Sequence, residues 1–236
     1  MNISRGLKRF VRAQRGEFPW FPVEHRGGTR VTLGSEYGGW TVLRESLNRD
    51  SVVYSVGVGL DTSFDVEIMR EIGCDVHAFD PTPGLGELLA EQKLGPDFHF
   101  HAVGLSDTDG SAEMRPLDAS GKCSSTIVDR DRIAGDTKGE TVRVATLRTL
   151  MNENQHDRID VLKMDIEGSE IEVIRDLIAT DIRPTQLLIE IHPQFRDGVV
   201  RSREMIKSLR QAGYAIFDIS ARHIEYGFVL RSEIAR

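Results

Sequence analysis

The stretch from Val52 to Asp80 constrains this chain more than any other. Val52, Val53, Val56 and Val58 are β-branched and nearly continuous, which is the pattern of a parallel strand buried on both faces. The run turns on Gly57-Val58-Gly59, where the missing side chains allow a sharp bend and leave room for a ligand against the backbone. Thr62 and Asp65 have the spacing of a helix start, Phe64, Ile68, Met69 and Ile72 form one apolar stripe, and Gly73 closes the helix. A second apolar run then ends at Asp80, about twenty residues after the loop, as in folds that hold a nucleoside-containing cofactor. Free amides at the helix start suit a carboxylate or phosphate, and an acid at Asp80 can accept hydrogen bonds from two ribose hydroxyls.

The rest of the chain extends this unit. Leu85, Leu88 and Leu89 mark a short helix that Gly95 can end, and Phe98 to Val103 reads as a third strand. Residues 104 to 145 lose helical periodicity and carry five glycines, consistent with turns and short strands facing a substrate or the surface. Ile159 to Asp165 is a strand followed by a helix, with Ser169 and Glu172 at capping-box spacing. Leu187 to His192 is a fifth strand stopped by Pro193. A helix over Met205, Ile206 and Leu209 leads to two closing strands, Tyr214 to Ile219 and Ile224 to Leu230, compatible with an antiparallel hairpin. Such alternation predicts an α/β fold with a mainly parallel sheet covered on both faces and ligands at the carboxyl ends of the strands. Asp80, Asp165 and His192 all fall at such ends.

At 236 residues the chain accommodates one α/β domain, residues 41–236, preceded by an extension over residues 1–40. Within that extension Ile3, Leu7, Phe10 and Val11 recur at helical spacing among basic residues. A helix covering the domain is the favoured reading and a membrane-surface helix the other. A net charge of −7 argues against broad nucleic-acid binding, and Cys74 and Cys123 have no metal-ligand spacing, which favours a reducing, cytoplasmic setting. No apolar run is long enough to span a bilayer.

Four segments in order, Tyr54-Ser-Val-Gly-Val-Gly59, Ala78-Phe-Asp-Pro-Thr-Pro83, His101-Ala-Val-Gly-Leu-Ser-Asp107 and Leu162-Lys-Met-Asp-Ile-Glu-Gly-Ser-Glu170, resemble the FkbM-type methyltransferases, a branch of the class I S-adenosylmethionine-dependent enzymes. The likeness covers about residues 35 to 230. It implies a Rossmann-like, seven-stranded sheet with a reversed last strand, and S-adenosylmethionine as cofactor. It further implies that Gly57, Val58 and Gly59 lie against the methionine part, that Asp80, with Pro81 beside it, holds the ribose, that Ser106 and Asp107 lie near the adenine, and that Asp165 faces the reacting end. Many class I enzymes carry an acid where this chain has Ser55, and Asp61 is the residue expected to take over part of its role.

Methyl transfer to a hydroxyl needs proton removal by a base or a metal. Asp165, Glu190 and His192 are the candidates: His192 as base with a carboxylate orienting it, or all three around a divalent ion. The acceptor expected is a small hydroxylated molecule, a sugar or a natural product. Bland roles compete for several of these residues. Glu190 in an apolar strand has the alternative of a buried pair with Lys163, and Glu167 and Glu170 at a helix start are explained by the helix dipole. His99 and His101 share a strand face without an evident third ligand. An NAD-linked oxidoreductase is the alternative enzyme, weakened because Thr62 occupies the place of the third glycine of a dinucleotide fingerprint, and a non-catalytic nucleoside-binding protein is the other alternative.

Overall fold

The computed structural model describes residues 16, 18–116, 125–126, 139–193 and 197–234. A hairpin comes first, β1 (Arg30–Leu33) against β2 (Trp40–Leu43). The main sheet then takes β3 (Val53–Val56), β4 (Val76–Phe79), β5 (Phe98–His101), β10 (Val161–Met164), β11 (Gln186–Glu190), β12 (Tyr214–Ile219) and β13 (Glu225–Leu230), in the spatial order β12-β13-β11-β10-β3-β4-β5. Only β13 runs antiparallel to its neighbours. This is the seven-stranded class I arrangement with a reversed last strand. Strand order reverses between β3 and β10, which opens a crevice at their carboxyl ends.

The helices α1 (Ser63–Ile72), α2 (Leu85–Gln92), α3 (Leu147–Glu153), α4 (Glu170–Ala179), α5 (Gly198–Gln211) and α6 (Arg231–Ile234) follow their apolar stripes. Phe64 and Ile68 of α1 pack with Val53, Val161 and Leu188 on one sheet face, while Val173, Ile174 and Leu177 of α4 pack with Tyr54, Leu162 and Leu187 on the other. Strands β3, β10 and most of β11 are buried along their whole length, as near-continuous apolar runs require. Helix α1 ends as expected on Gly73, at φ 78°. Helix α2 ends earlier than its Gly95, on Lys93 at φ 52°.

The irregular segment contributes a second sheet, β6 (Gly104–Leu105), β7 (Gly110–Pro116), β8 (Ser125–Thr126) and β9 (Glu140–Ala145), in the order β6-β9-β7-β8. Cys123 and Ser124 lie outside the described residues, as do Ile3, Leu7, Phe10 and Val11, the stripe of the helical cover read into the extension.

The β1–β2 hairpin spans residue 40 and packs on the main sheet. Leu33, Trp40 and Val42 belong to the same apolar cluster as Phe64 and Ile68. Gln186, fully buried on β11, binds the hairpin end with both halves of its amide: Oε1 accepts from Leu43 N at 2.8 Å and Nε2 donates to Leu43 O at 2.9 Å. Among the described residues no helix is long and apolar enough to cross a membrane.

Candidate active site

A cleft of about 260 Å³ lies at the carboxyl ends of β3, β4, β10 and β11. Its floor is the loop Gly57-Val58-Gly59. Gly57 has φ 70°, and a Cβ there would sit 1.7 Å from the Asp165 carbonyl oxygen, so only glycine fits between the two strand ends. Gly59 has φ 55°, and a Cβ there would meet nothing within 4 Å, because this part of the loop faces open space. Backbone bonds from Gly57 N to Phe79 O at 2.9 Å and from Asp165 N to Val56 O at 3.1 Å stitch the strand ends together.

Asp80 closes one side. Its carboxylate accepts from Gly59 N at 3.0 Å and Thr82 N at 2.9 Å, which fixes both oxygens at the loop's edge. Pro81, Thr82, Gly104, Leu105 and Met114 continue that wall. Ser106 and Asp107 are not among the walls. Ser106 donates its backbone N–H to Ala145 O at 2.9 Å and its hydroxyl to Asp107, one step past the residues that do face the cleft. Asp61 does line the cleft, held by Ser35 Oγ at 2.7 Å and Ser63 N at 3.1 Å. The hydrogen bond from Ser63 is the largest of the effects that lower its pKa.

The capping boxes expected at α1 and α4 do not form. Thr62 turns its hydroxyl to Gln92, and Asp65 is buried under the loop. Ser169 makes no side-chain cap, and Glu172 pairs with Arg201. Glu170 turns back onto the loop before the helix instead, accepting from the N–H groups of Ile166 and Gly168.

Opposite Asp80 stand Asp165, Glu167, Glu190, Arg222 and Glu225. Asp165, Glu190 and His192 converge, with one donor atom of each lying within 4.8 Å of the others. His192 is buried behind the wall rather than on it. Its Nδ1 lies 2.9 Å from Glu170 Oε1, and its Nε2 lies 3.2 Å from Glu167 Oε2 and 3.6 Å from Asp165 Oδ1. Burial works against a charge on this ring, but the hydrogen bonds to Glu167 and Glu170 and the field of those carboxylates outweigh it. They hold the pKa of His192 well above its ordinary range. The ring is therefore an imidazolium at neutral pH, with both N–H groups engaged. A ring held in this way has no free lone pair with which to take a proton, which argues against the expectation that His192 is the base.

Glu190 has the properties the base requires. Burial, then the charge of Asp165, pushes its pKa up to about 7, while His192 and Arg222 pull it down. Its nearest cation is Arg222 at 3.7 Å and not Lys163. Asp165 is raised as well, chiefly by burial. A divalent ion among Asp165, Glu190 and His192 would first have to displace the proton that His192 shares with Glu167 and Asp165, so the donor set suits an imidazolium better than a metal.

Sequence reasoning gave Glu167 and Glu170 only a helix-dipole role and passed over the hairpin residues Tyr37 and Trp40. The available signals were a charged residue, Lys163, inside a buried strand and a hairpin of bulky residues ahead of the loop. His99 and His101 join His77 and His156 around Tyr54 at the sheet edge, away from the cleft.

Residues 51–216 match the family model of the methyltransferase FkbM domain. The probable methyltransferase-like protein 24 of Homo sapiens is 31% identical over 182 residues, 72% of this chain and 43% of that protein. The Rattus norvegicus protein of the same name is 33% identical over 178 residues, 70% of this chain and 42% of that one. The chain thus spans about two fifths of the length of these relatives. Among solved structures, a Methanococcus jannaschii fibrillarin pre-rRNA processing protein aligns with a TM-score of 0.43 at 14% identity, covering 78% of this chain and 68% of that one. The Aeropyrum pernix fibrillarin with natively bound S-adenosyl-L-methionine aligns at 0.40 and 14%, covering 78% and 66%.

Proposed function

This chain belongs to the FkbM methyltransferase family, and we propose that it transfers a methyl group from S-adenosylmethionine to a hydroxyl of a small molecule, a sugar or a natural product. The observation that carries this reading is the two-sided cleft. A bare glycine loop and Asp80 lie on one side, and Glu190, titrating near neutrality, lies on the other. The walls fit the donor: two glycines leave backbone exposed, Asp80 offers lone pairs for a diol, and Val58, Pro81, Leu105 and Met114 give apolar surface for a base.

When bound, S-adenosylmethionine supplies an electrophilic methyl group on a sulfonium, so the protein's task is alignment, exclusion of water and removal of one proton. Glu190 takes the acceptor's hydroxyl proton. A carboxylate poised near neutrality is both deprotonated often enough and basic enough for that role. Asp165, beside it, orients the same hydroxyl. His192 keeps the strand end charged and in place by joining Asp165 and Glu167 from behind the wall. Trp40 and Tyr37 form the mouth, with Arg222 stacked 5.9 Å from the Tyr37 ring.

Calorimetry with S-adenosylmethionine, S-adenosylhomocysteine and NAD tests the donor. Saturable binding of NAD with no response to either methionine-derived nucleoside overturns the reading. Glu190→Gln tests the base: turnover should fall about 10²- to 10⁴-fold with donor affinity unchanged. Loss of activity with chelator and its return with a divalent ion would move the chemistry to a metal.

A further inference from the structure

Lys163 is a buried charge that the proton-transfer scheme leaves without a task. It rises from the middle of β10, in register with Ser55 on β3 and Leu188 on β11, and is only 6% exposed. Its Nζ donates to Gly57 O at 3.0 Å, sits 5.8 Å from the centre of the Trp40 ring and borders the cleft. Asp61, Asp65 and Asp165 feel its charge. Among the described residues, however, no carboxylate pairs with it, and Glu190, the partner expected from sequence, is with Arg222. An ammonium has three donors, and one serves Gly57. The three aspartates balance its charge from a distance but take up none of its donors, so the two that remain at the edge of the cleft can serve an anion received there.

Charge complementarity identifies that anion. The amino-acid end of the methyl donor carries one carboxylate, and Asp61, Asp80 and Asp165 on the surrounding walls all repel it. The cleft's other cation among the described residues, Arg222, is half exposed and already paired with Glu225. Lys163 instead touches the glycine loop itself and lies on the hairpin side with Asp61.

Resting on the S-adenosylmethionine reading, we propose that Lys163 receives the carboxylate of the donor's amino-acid part while Asp61 receives its ammonium. Lys163 then has two tasks: it holds the loop through the Gly57 carbonyl, and it sets which nucleosides the loop admits.

The test compares binding of S-adenosylhomocysteine with that of 5′-methylthioadenosine, which lacks the amino-acid end, by calorimetry on the wild-type protein and Lys163→Met. Any loss common to both ligands reports the contact to Gly57, and beyond it the variant should lose about ten- to a hundred-fold more affinity for S-adenosylhomocysteine than for 5′-methylthioadenosine, the loss of one charge-assisted hydrogen bond. Equal losses for both ligands would make Lys163 a structural prop of the loop and overturn the proposal. Wild-type protein gives a second measurement that needs no variant. Decarboxylated S-adenosylhomocysteine should bind it about ten-fold or more weakly than the intact nucleoside, and equal affinities overturn the proposal even if Lys163→Met does not fold. Failure of the wild type to bind any of the three nucleosides would instead bring down the methyl-donor reading on which this one rests.

Discussion

Replacing His192 with Gln removes a positive charge from behind the acceptor wall while keeping an amide N–H that can face one of its carboxylates. The donor atoms of Asp165, Glu190 and His192 lie within 4.8 Å of one another. Unit charges at that separation attract by about 3.5 kcal/mol at an effective dielectric of about 20, equivalent to about 2.5 pH units. Glu190 borders an open cleft, and water there screens part of this, leaving a shift of about 1 to 2 units. The sign follows from the chemistry. A base must be deprotonated, so wild-type kcat/KM should rise with pH through about 7, where Glu190 titrates. Without the imidazolium both Glu190 and Asp165 hold their protons more tightly, and the rising limb should move to about pH 8 or above. The assay is the pH profile of kcat/KM from pH 6 to 10, paired with carbon NMR titration of the carboxyl groups, which needs no acceptor. A variant whose limb and carboxyl titration stay within about 0.3 unit of wild type would refute the electrostatic coupling. A variant that loses the limb altogether, with a plateau lower by about 10²-fold or more, would return the base role to His192.

Asp80→Asn should weaken S-adenosylhomocysteine binding about ten- to a hundred-fold in calorimetry, since it loses the charge on the group proposed to hold the ribose and also slackens the bond to Gly59 N; unchanged affinity in a folded variant rejects the assignment. His77 should make the sheet edge sensitive to acid: burial first, then the neighbouring rings of His156, His99 and His101, lowers its pKa to about 4 from 6.5. A depressed histidine leaves stability intact above the unfolded pKa and removes it as pH falls from 6.5 towards 4. Discounted for the water that reaches this half-buried cluster, the loss is about 1 to 2 kcal/mol. Thermal denaturation between pH 7 and 4 should therefore show a steeper fall for wild type than for His77→Gln, and parallel curves would remove His77 from the acid response.

What could be read from the chain alone was whatever a local pattern decides. The β-branched run around β3 and the short apolar run around β10 both read as strands of a parallel sheet, so these two were legible, and with them the strand ends at Asp80 and Asp165, where such a sheet presents its ligands. Polar residues at helix starts were not legible in the same way. Thr62, Asp65, Ser169 and Glu172 stand at capping spacing, but three of them are drawn off in ways that spacing does not reveal, to Gln92 for Thr62, to a buried site for Asp65 and to Arg201 for Glu172, and Ser169 makes no cap. Glu170 turns back onto the N–H groups of the loop before α4, and the same carboxylate reaches His192, 22 residues further along the chain. That single contact changes the chemistry of the wall. A histidine read by itself is a base near neutrality, but one held between Glu167 and Glu170 is a fixed cation, and its charge keeps a third acid, Glu190, low enough to titrate near 7. On the proposed function, the choice of which strand-end residue moves the proton turns on two glutamates whose local position needs no more than a helix dipole to explain it.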